Sequence, residues 1–365
     1  MRGEENMDKV LTQAVCRIRK RINPAAHRPV ELIHTSGKTY QLYFPTIGCK
    51  FACTMCNYGF GDVFPQEEVE EALEKIINDF PYQARVIVLE ASGSFLDERE
   101  ISPKLRRSIF EKIATVKQLE AVIIETHYLT VTTEVMQEIK EVFSNLDIQI
   151  EFEFGVESTN ADVLKIYNKD IDFEKLKHVI LDAEQYGITC ELNLLMGAPL
   201  LTVKEQIQDT LSSILWVIEN CPPSTICVLF PINIKRDTLI WDLWKNKKYS
   251  LIYHWEFITL LAKIPKESLD RIFIAWWGNR PNYYDGEEAI IYPYSCDSCH
   301  AIVQKFYEAF YMADKERKMR LLEEIMTVKC DCKNRFLTLL ESEENSYSIA
   351  ERFEKLRAWL KENFL

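Results

Sequence analysis

Three cysteines in the segment GCKFACTMCNYGFG, residues 48–61, have the spacing of metal ligands. Cys49, Cys53 and Cys56 follow the strand-like run QLYFP, and no histidine lies within the loop to complete a zinc site. Three thiolates suit a [4Fe–4S] cluster that leaves one iron without a protein ligand. That iron could take a ligand from a substrate or cofactor, so the spacing predicts a reactive centre. Buried structural cysteines are the alternative, but a polar turn that contains glycine is poor core material.

Four further cysteines near the C-terminal end fall into two close pairs. They lie in the segments SCDSCH and KCDCK and are Cys296, Cys299, Cys330 and Cys332. Two such pairs are typical of a closed metal site, in which His300 could replace one cysteine. Zinc and an auxiliary [4Fe–4S] cluster would both be satisfied by four thiolates, and unpaired thiols are the remaining alternative. Because every ligand would come from the protein, we expect this second site to be structural.

Strand-like and helix-like runs alternate between the two cysteine groups. The strand-like runs cover residues 41–45, 85–91, 121–126, 148–158, 189–197 and 225–232. The helix-like runs, in which apolar residues recur at helical spacing, cover residues 66–79, 104–117, 133–144, 173–186 and 203–219. Repeated β/α units form parallel strands joined by right-handed crossovers. The pattern therefore predicts an α/β barrel or partial barrel, with active-site loops where the strands end.

The repeat pattern stops after about residue 235, where we place a soft domain boundary. Residues 1–38 are expected to form an N-terminal basic helical segment, and residues 39–235 the barrel. Residues 236–365 contain one more strand-like run, 271–277, and are otherwise helix-like. We expect them to form an α-rich C-terminal extension that holds the second cysteine site.

The segment AWWGNRPNYYDG, residues 275–286, is rich in aromatic side chains. Such side chains could form a platform on which a base or an adenine stacks. Aromatic residues at the end of a strand also commonly belong to the core. Both interpretations stay open, and we regard Arg280 and Asp285 as candidate substrate contacts.

Composition narrows the class of protein. The chain has 365 residues, a net charge of −12 and an isoelectric point near 5.2, which argues against nucleic-acid binding through overall charge. The basic run CRIRKRINPAAHRP is a local exception that could grip phosphates or form a solvated helix end. Cysteines grouped at metal-ligand spacing favour an intracellular metalloprotein over a disulfide framework. Because we see no apolar leader and no long apolar run, we expect a cytoplasmic protein that does not enter a membrane.

The spacing C-x3-C-x2-C, with the apolar Met55 before the last cysteine, resembles the radical S-adenosylmethionine (SAM) superfamily. The resemblance implies a partial (β/α)6 barrel like part of a TIM barrel, with Cys49, Cys53 and Cys56 as the catalytic cluster ligands. It implies that the open iron chelates SAM and that one electron from the reduced cluster cleaves it. The resulting 5′-deoxyadenosyl radical would abstract hydrogen from the substrate. A reductant such as flavodoxin or ferredoxin is therefore an expected partner.

The resemblance also implies contacts to the adenine of SAM. Met55 and Tyr58 would pack near the adenine, on the cysteine loop. The segment MGAPLLT, residues 196–202, resembles the loop that backs the adenine and contributes Gly197. Gly197 is also a plain turn former, and that second interpretation stays open.

Polar SAM contacts are implied at the ends of three strands. The segment SGSFLD follows the second predicted strand, where the family carries a small-residue motif that holds the SAM amino group. Ser92, Gly93 and Ser94 are its candidate residues, and the glycine would allow close backbone approach. Glu125 and Glu157 end the third and fourth predicted strands and would suit the ribose hydroxyl groups or the SAM amine. Surface glutamates are the alternative for both.

Longer segments resemble one branch of the superfamily. FGVES and SGSFLD resemble the elongator-type branch, and IETHYLT and FPINIKRDTLIWDLWKNKKY are most similar to the radical SAM subunits of archaeosine synthase. This resemblance implies tRNA modification, in which the lysine portion of a lysine-bearing deazaguanine is cleaved. It also implies tRNA or a tRNA-modifying enzyme as a partner. A radical SAM enzyme that acts on a free small molecule or a peptide is an alternative, and a zinc-binding interaction module is the non-enzyme alternative.

Overall fold

Eight strands form one sheet in the part of the chain that the structure, a computed structural model, describes: residues 7–21, 28–57, 63–275, 291–311, 313–342 and 347–365. The strands are β1 (Glu31–Ser36), β2 (Thr39–Phe44), β3 (Val86–Ala91), β4 (Ala121–Glu125), β5 (Gln149–Glu157), β6 (Ile188–Met196), β7 (Ile226–Pro231) and β8 (Ile272–Ile274). They lie side by side in chain order. β1 pairs with β2 in the antiparallel direction, and all later neighbours pair in parallel. The sheet is a curled half-barrel.

One helix precedes the sheet, and the others in this part of the chain connect its parallel strands. They are α1 (Lys9–Arg19), α2 (Gln66–Asn78), α3 (Pro103–Ile113), α4 (Thr133–Phe143), α5 (Ala161–Tyr167), α6 (Phe173–Gln185) and α7 (Val203–Asn220). Local sequence fixes where several of them begin. In α7, for example, the Thr202 side chain caps the Glu205 amide while the Glu205 carboxylate accepts from the Thr202 amide.

The strands of the half-barrel bury one face against helices and turn the other towards an interior cavity. In β6 the alternating buried residues are Ile188, Cys190, Leu192, Leu194 and Met196. Between them, Glu191 and Asn193 line the cavity. Because successive side chains of a strand point to opposite faces, the main apolar core lies outside the sheet, and the alternate residues, polar and apolar, line the cavity inside it.

The C-terminal part consists mainly of helices that extend the barrel. They are α8 (Leu239–Lys245), α9 (His254–Lys263), α10 (Asp297–Tyr311), α11 (Lys315–Met326), α12 (Asp331–Ser342) and α13 (Ile349–Phe364). Helices α9 to α12 join the main apolar core of the barrel. A second apolar cluster unites α1, α5, α8 and α13 and includes Ala52 of the cysteine loop.

The predicted partial barrel with an α-rich extension is confirmed. Each of the six predicted barrel strands matches an observed strand, and both of its boundaries lie within two residues of the observed ones. The sequence analysis did not predict β1, which turns back along β2 through Gly37 at φ 53°, nor the short helix α5. None of the described helices is both long and apolar enough to cross a membrane.

Candidate functional site

A cavity of about 1440 Å³ lies inside the half-barrel. Cys49, Cys53 and Cys56 contribute to its wall from the loop that follows β2. Inward-facing side chains of the parallel strands form much of the remaining wall. Because enzymes with this architecture bind substrates where their strands end, the cavity is the candidate active site.

Hydrogen bonds to Ser92 and Glu100 connect the start of the cysteine loop, before Cys49, to the residues that follow β3. The buried Ser92 hydroxyl group lies 2.9 Å from the Tyr43 hydroxyl group and accepts from the Thr46 amide at 3.1 Å. The Glu100 carboxylate accepts from Thr46 Oγ1 at 2.7 Å and from the Ser94 amide at 3.1 Å. Burial raises the pKa of Glu100, although these hydrogen bonds oppose the shift.

The part of the loop around Cys53 is hydrogen-bonded to the end of α5. The Thr54 amide donates to the Tyr167 carbonyl at 3.0 Å, and Thr54 Oγ1 donates to the Ile166 carbonyl at 3.1 Å. Asn168, left-handed at φ 56°, ends α5 and donates from Nδ2 to the Ala52 carbonyl at 2.9 Å. The described part of the loop, residues 45–57, has no helix or strand and obtains its shape from hydrogen bonds to two neighbouring parts of the chain.

Gly93 lets the cysteine loop approach β3 closely. A Cβ atom at this position would lie 2.9 Å from Cys49 Cα and 2.3 Å from Glu100 Oε1. Real Cβ atoms do not come this close to another backbone, so any side chain would push Cys49 outwards. The space beside Gly93 is therefore filled by the protein itself.

The thiol groups lie in a buried environment that contains a cation. Burial and the neighbouring thiols raise the pKa of Cys49 to about 12, and burial raises that of Cys53 to about 11. Arg19 is only 6% exposed and donates from Nη1 to the Phe51 carbonyl at 2.7 Å. Its Nε and Nη2 are buried and have no hydrogen-bond partner among the described residues. Positive charge beside the thiols opposes the rise of their pKa and favours thiolates.

A second cation, Lys169, belongs to a buried ion pair beside the thiols. Lys169 Nζ lies 2.7 Å from Glu157 Oε1, and both side chains are almost fully buried. Burial alone would lower the pKa of Lys169, but the Glu157 carboxylate and the Cys53 sulfur outweigh burial and raise it. Glu157 itself has a left-handed backbone at φ 70°, where the β5–β6 register shifts. This irregularity at the end of β5 holds the carboxylate against Lys169.

Hydroxyl groups and an imidazole lie beside Phe51 in the cavity wall. Ser94 Oγ lies 2.6 Å from Thr126 Oγ1 and 3.0 Å from Thr130 Oγ1. Burial lowers the pKa of His127 to about 3, so its ring is neutral and stacks on Phe51 at a centroid distance of 4.8 Å. His127 Nδ1 accepts from a backbone amide at 3.2 Å, so Nε2 carries the hydrogen. No described residue accepts from this buried Nε2–H group.

A row of glutamates crosses the inner face of the sheet. Glu125 of β4, Glu153 of β5 and Glu191 of β6 are register neighbours, and Glu90 holds the adjoining position of β3. All four line the cavity, and Asn193 Nδ2 donates to Glu153 Oε1 at 2.7 Å. Burial and the neighbouring carboxylates raise the pKa of Glu125 and Glu191 well above the usual range. A cationic group in the cavity would relieve this repulsion.

Most residues that the resemblance implied for SAM binding lie around the cavity. Those that line it are Met55, Ser92, Gly93, Ser94, Glu125 and Glu157. Gly197 is not among the described lining residues. It has φ 120°, and a Cβ atom there would lie 2.4 Å from Ile232 Cγ2. Tyr58, Arg280 and Asp285 lie outside the described residues.

Several site residues were not found from the sequence. Arg19, Glu100, His127 and Lys169 all contact or neighbour the cysteine loop only through folding. Glu100 had one local signal, because it follows the SGSFLD segment that closes β3. His127 lies in the segment IETHYLT, but the resemblance of that segment implied no role for it. Arg19 belongs to the basic run that could grip phosphates or form a solvated helix end, and Lys169 carried no local signal.

The second cysteine group converges as predicted. The ligand atoms of Cys296, Cys299, Cys330 and Cys332 all lie within 4.8 Å of one another. They lie at the starts of α10 and α12, so the chain returns to the same place after α11. This arrangement is a four-cysteine metal site.

Comparison with known proteins agrees with this geometry. The sequence model of the radical SAM superfamily matches residues 43–212, from β2 to α7. Archaeosine synthase subunit beta of Thermococcus kodakarensis is 31% identical over 239 residues, which are 62% of this chain and 71% of that protein. Archaeosine synthase subunit beta of Methanosarcina acetivorans is 25% identical over 361 residues, which are 92% of this chain and 98% of that protein.

A solved structure similar to this chain is that of methylornithine synthase. It is 15% identical, has a TM-score of 0.45, and the match covers 92% of this chain and 94% of that one. The family match and the relatives, together with the half-barrel and its cysteine loop, establish the class. The chain belongs to the radical SAM superfamily.

Proposed function

We propose that this radical SAM enzyme binds its [4Fe–4S] cluster through Cys49, Cys53 and Cys56 and modifies a deazaguanine base in tRNA, in an archaeosine-type reaction. The observation that carries the proposal is the cysteine loop at the mouth of the cavity, in a chain related to archaeosine synthase subunits beta. Membership of the superfamily implies SAM and a reductant. We propose flavodoxin or ferredoxin as that reductant.

The residues around the loop fit a cluster and its cofactor. Three cysteine ligands would leave one iron of the cluster open. Arg19 and Lys169 supply buried positive charge that suits a cluster ligated by thiolates. The Nε2–H group of His127 has no acceptor among the described residues, so it can donate a hydrogen bond to a group bound in the cavity.

The chain's own residues would orient the cofactor and keep water out. When bound, the cluster and SAM supply the electron and the radical that abstracts hydrogen. We assign the adenine to Met55 and Tyr58, with Gly197 behind them, as the resemblance implies. The residues proposed for the polar groups of SAM are Ser92, Gly93, Ser94, Glu125 and Glu157. Because Ser92 and Gly93 also hold the loop, their contribution to SAM binding would come mainly from the backbone.

A basic face supports the proposal of a tRNA substrate. We define it as the exposed cations at and just beyond the C-terminal ends of α1 and α8: Arg17, Lys20, Arg21, Lys245, Lys247 and Lys248. The helix α13 connects the two groups of cations. Arg21 lies over the ring of Phe364 and Lys248 over the ring of Trp359, and both rings belong to this helix. A cationic face with aromatic side chains suits the backbone and bases of RNA, although the whole chain is acidic.

The glutamate row supports a substrate with a positive charge. Glu90, Glu125, Glu153 and Glu191 lie side by side on the inner face of the sheet, and an ammonium group there would favour their ionised forms. The lysine-bearing deazaguanine implied by the resemblance carries such a group. The same row would also accept a free amine, so it does not by itself identify tRNA.

The cluster assignment is tested with a triple Cys49→Ala, Cys53→Ala, Cys56→Ala variant. We expect the variant to lose the iron of this loop and all cleavage of SAM to 5′-deoxyadenosine, because no thiolate remains to hold the cluster. Cys16→Ala, which removes an exposed cysteine, is the matched control and should keep both. The measurements are iron content after anaerobic purification and deoxyadenosine formed with a chemical reductant. Cleavage by the triple variant would refute the assignment.

The tRNA assignment is tested by filter binding of bulk tRNA in a salt series. Binding should weaken steeply as salt rises, because each phosphate contact releases counterions. Charge reversal of Lys245, Lys247 and Lys248 to Glu should weaken binding about 10-fold or more and make the salt dependence shallower. Reversal of three other exposed lysines, Lys104, Lys117 and Lys175, matches the change in net charge and should have little effect.

The alternative substrate is a free small molecule or a peptide, which the net charge of −12 favours. Equal loss of tRNA binding in both lysine variants, or no binding at low salt, would support this alternative over tRNA. The non-enzyme alternative, a zinc-binding interaction module, was wrong, because the chain belongs to a superfamily of enzymes.

A further inference from the structure

We infer that Cys296, Cys299, Cys330 and Cys332 bind one zinc ion rather than an auxiliary [4Fe–4S] cluster, and that this ion holds α10 in the wall of the active-site cavity. The inference concerns a second metal site and does not depend on the substrate proposed above. It rests on the spacing of the sulfur atoms, on the groups around them and on what α10 contributes to the cavity.

The four sulfur atoms are spaced like the ligands of a single ion. Adjacent Sγ atoms lie 3.2–3.4 Å apart: Cys296 to Cys299, Cys296 to Cys330, Cys299 to Cys332 and Cys330 to Cys332. All four ligand atoms fit within 4.8 Å. Zinc–sulfur bonds of about 2.3 Å in a tetrahedron place the sulfurs about 3.8 Å apart. The distances are too long for disulfides, whose S–S bond is about 2.05 Å.

A [4Fe–4S] cluster would require more room. Each thiolate of such a cluster binds a different iron, so the sulfurs must be separated by an iron–iron distance as well as by their own bonds. The loop of Cys49, Cys53 and Cys56 shows the contrast, because among the described residues these thiols do not form a group within 4.8 Å. The two cysteine groups of the chain are thus built for metal centres of different sizes.

The surroundings of the four sulfurs favour thiolates. Cys299 and Cys332 lie in the first turns of α10 and α12, where the helix dipoles attract negative charge. The indole Nε1 of the buried Trp255 donates to Cys332 Sγ at 3.2 Å. The Lys333 ammonium lies 4.8 Å from the centre of the Trp255 ring. Four thiolates and one Zn²⁺ ion carry two net negative charges, which these groups offset.

The site joins the C-terminal helices to the barrel. Trp255 belongs to α9, so its bond to Cys332 connects the sulfurs to the main apolar core. The helix α10, which begins at the site, packs along β8, where the rings of Phe273 and Tyr311 are in edge contact at 6.0 Å. Glu308 and Tyr311 of this helix line the active-site cavity beside β8. A metal ion at the start of α10 would therefore fix the position of the cavity wall.

Zinc also suits this role chemically. It is redox-inert, and four protein thiolates leave no open coordination position for a substrate. Reduction of the catalytic cluster would therefore leave the zinc site, and the position of α10, unchanged. Structural zinc of this kind contributes free energy to folding, so its removal should loosen the helices that it joins.

The metal is identified in the Cys49→Ala, Cys53→Ala, Cys56→Ala variant, in which the C-terminal cysteines are intact. After anaerobic purification and reconstitution with iron and sulfide, we expect about one zinc and almost no iron per chain by inductively coupled plasma mass spectrometry. About four irons with sulfide would show an auxiliary cluster, and about one iron would show a mononuclear iron site. Either result would overturn the zinc assignment.

The bracing role is tested with a Cys330→Ser, Cys332→Ser variant of the full chain. We expect loss of zinc, retention of iron at the loop, and faster hydrogen exchange in 297–311 than in the wild type. Exchange in the β2–β6 strands should be unchanged, which separates local loosening from failure to fold. Exchange in α10 equal to that of the wild type would refute the bracing role. If this variant does not fold, a chelator titration of the zinc-loaded triple variant, followed by exchange, makes the same comparison.

Discussion

At the scale of single residues, the position of the catalytic loop depends on the absent side chain of Gly93. The Cys49 backbone occupies the space that a Cβ atom would need. We predict that Gly93→Ala displaces Cys49 and lowers SAM cleavage about 100-fold, since small misplacements in an active site cost this much. Iron content after anaerobic purification should fall as well. Deoxyadenosine formation and iron analysis measure both effects.

Gly37→Ala is the matched control for this prediction. Gly37 has φ 53° in the β1–β2 turn, and a Cβ atom there would meet no atom within 4 Å. The control therefore carries the backbone strain of an alanine at positive φ, about 1 kcal/mol, without any clash. It should keep its iron and its activity. Equal losses in the two variants would mean that general destabilisation, and not the position of Cys49, is responsible.

The residues of the site differ in how far the sequence could predict them. Cys49, Cys53 and Cys56 were recognisable because a cluster needs its ligands at short spacing, and short spacing is visible in sequence. Arg19 and Lys169 were not, because their partners Phe51 and Glu157 lie 32 and 12 positions away and meet them only through folding. The glutamate row needed the strand register, which composition and periodicity do not supply.

At the scale of elements, Asp209 makes the packing of α7 against the end of β5 sensitive to pH. Its buried carboxyl group accepts from Ser158 Oγ at 2.8 Å. Burial raises the pKa of Asp209 to about 7, although the bond to Ser158 opposes this shift. The folded state therefore binds a proton more tightly than the unfolded state, whose pKa stays near 3.8. The contribution of Asp209 to stability is full below pH 4 and is lost as pH rises towards 7.

We predict that Asp209→Asn removes this loss, because the amide stays neutral and its oxygen can still accept from Ser158. The variant should gain on the wild type by roughly 2 kcal/mol in free energy of unfolding between pH 5 and pH 8. Anaerobic denaturant titrations of both proteins at several pH values measure the difference. A difference that does not change with pH would contradict the assigned pKa shift.

The elements themselves were largely predictable. β3 to β7 alternate buried apolar residues with residues that face the cavity, and the helices between them show apolar residues at helical spacing, so both periods are visible in sequence. β1 is a short edge strand whose pairing depends on its partner β2, and it lacks a strong pattern of its own. The short helix α5 also depends on a contact that is distant in sequence, because Asn168 at its end donates to the Ala52 carbonyl of the cysteine loop.

At the scale of the whole molecule, helices that lie far apart in the chain pack together beside the cysteine loop. The helices α1 and α13 pack together in the second apolar cluster, which includes Ala52 of the cysteine loop. Arg357 of α13 pairs with Asp8 at 2.9 Å, at the start of α1. From α1, Arg19 reaches the Phe51 carbonyl. The C-terminal helix thus supports the cysteine loop although it lies outside the segment 43–212 that the family model matches.

Leu360→Ala tests this support. Leu360 is fully buried in α13, and its truncation should lower the free energy of unfolding by about 3 kcal/mol, through lost burial and the cavity left behind. Because the same cluster holds α1 and Ala52, we also expect iron to be released faster to a chelator than in the wild type. Leu339→Ala makes the same change at a site that is 37% exposed on α12, so both effects should be small there. Destabilisation by Leu360→Ala with iron release unchanged would show that the C-terminal helix stabilises the fold without supporting the cluster loop.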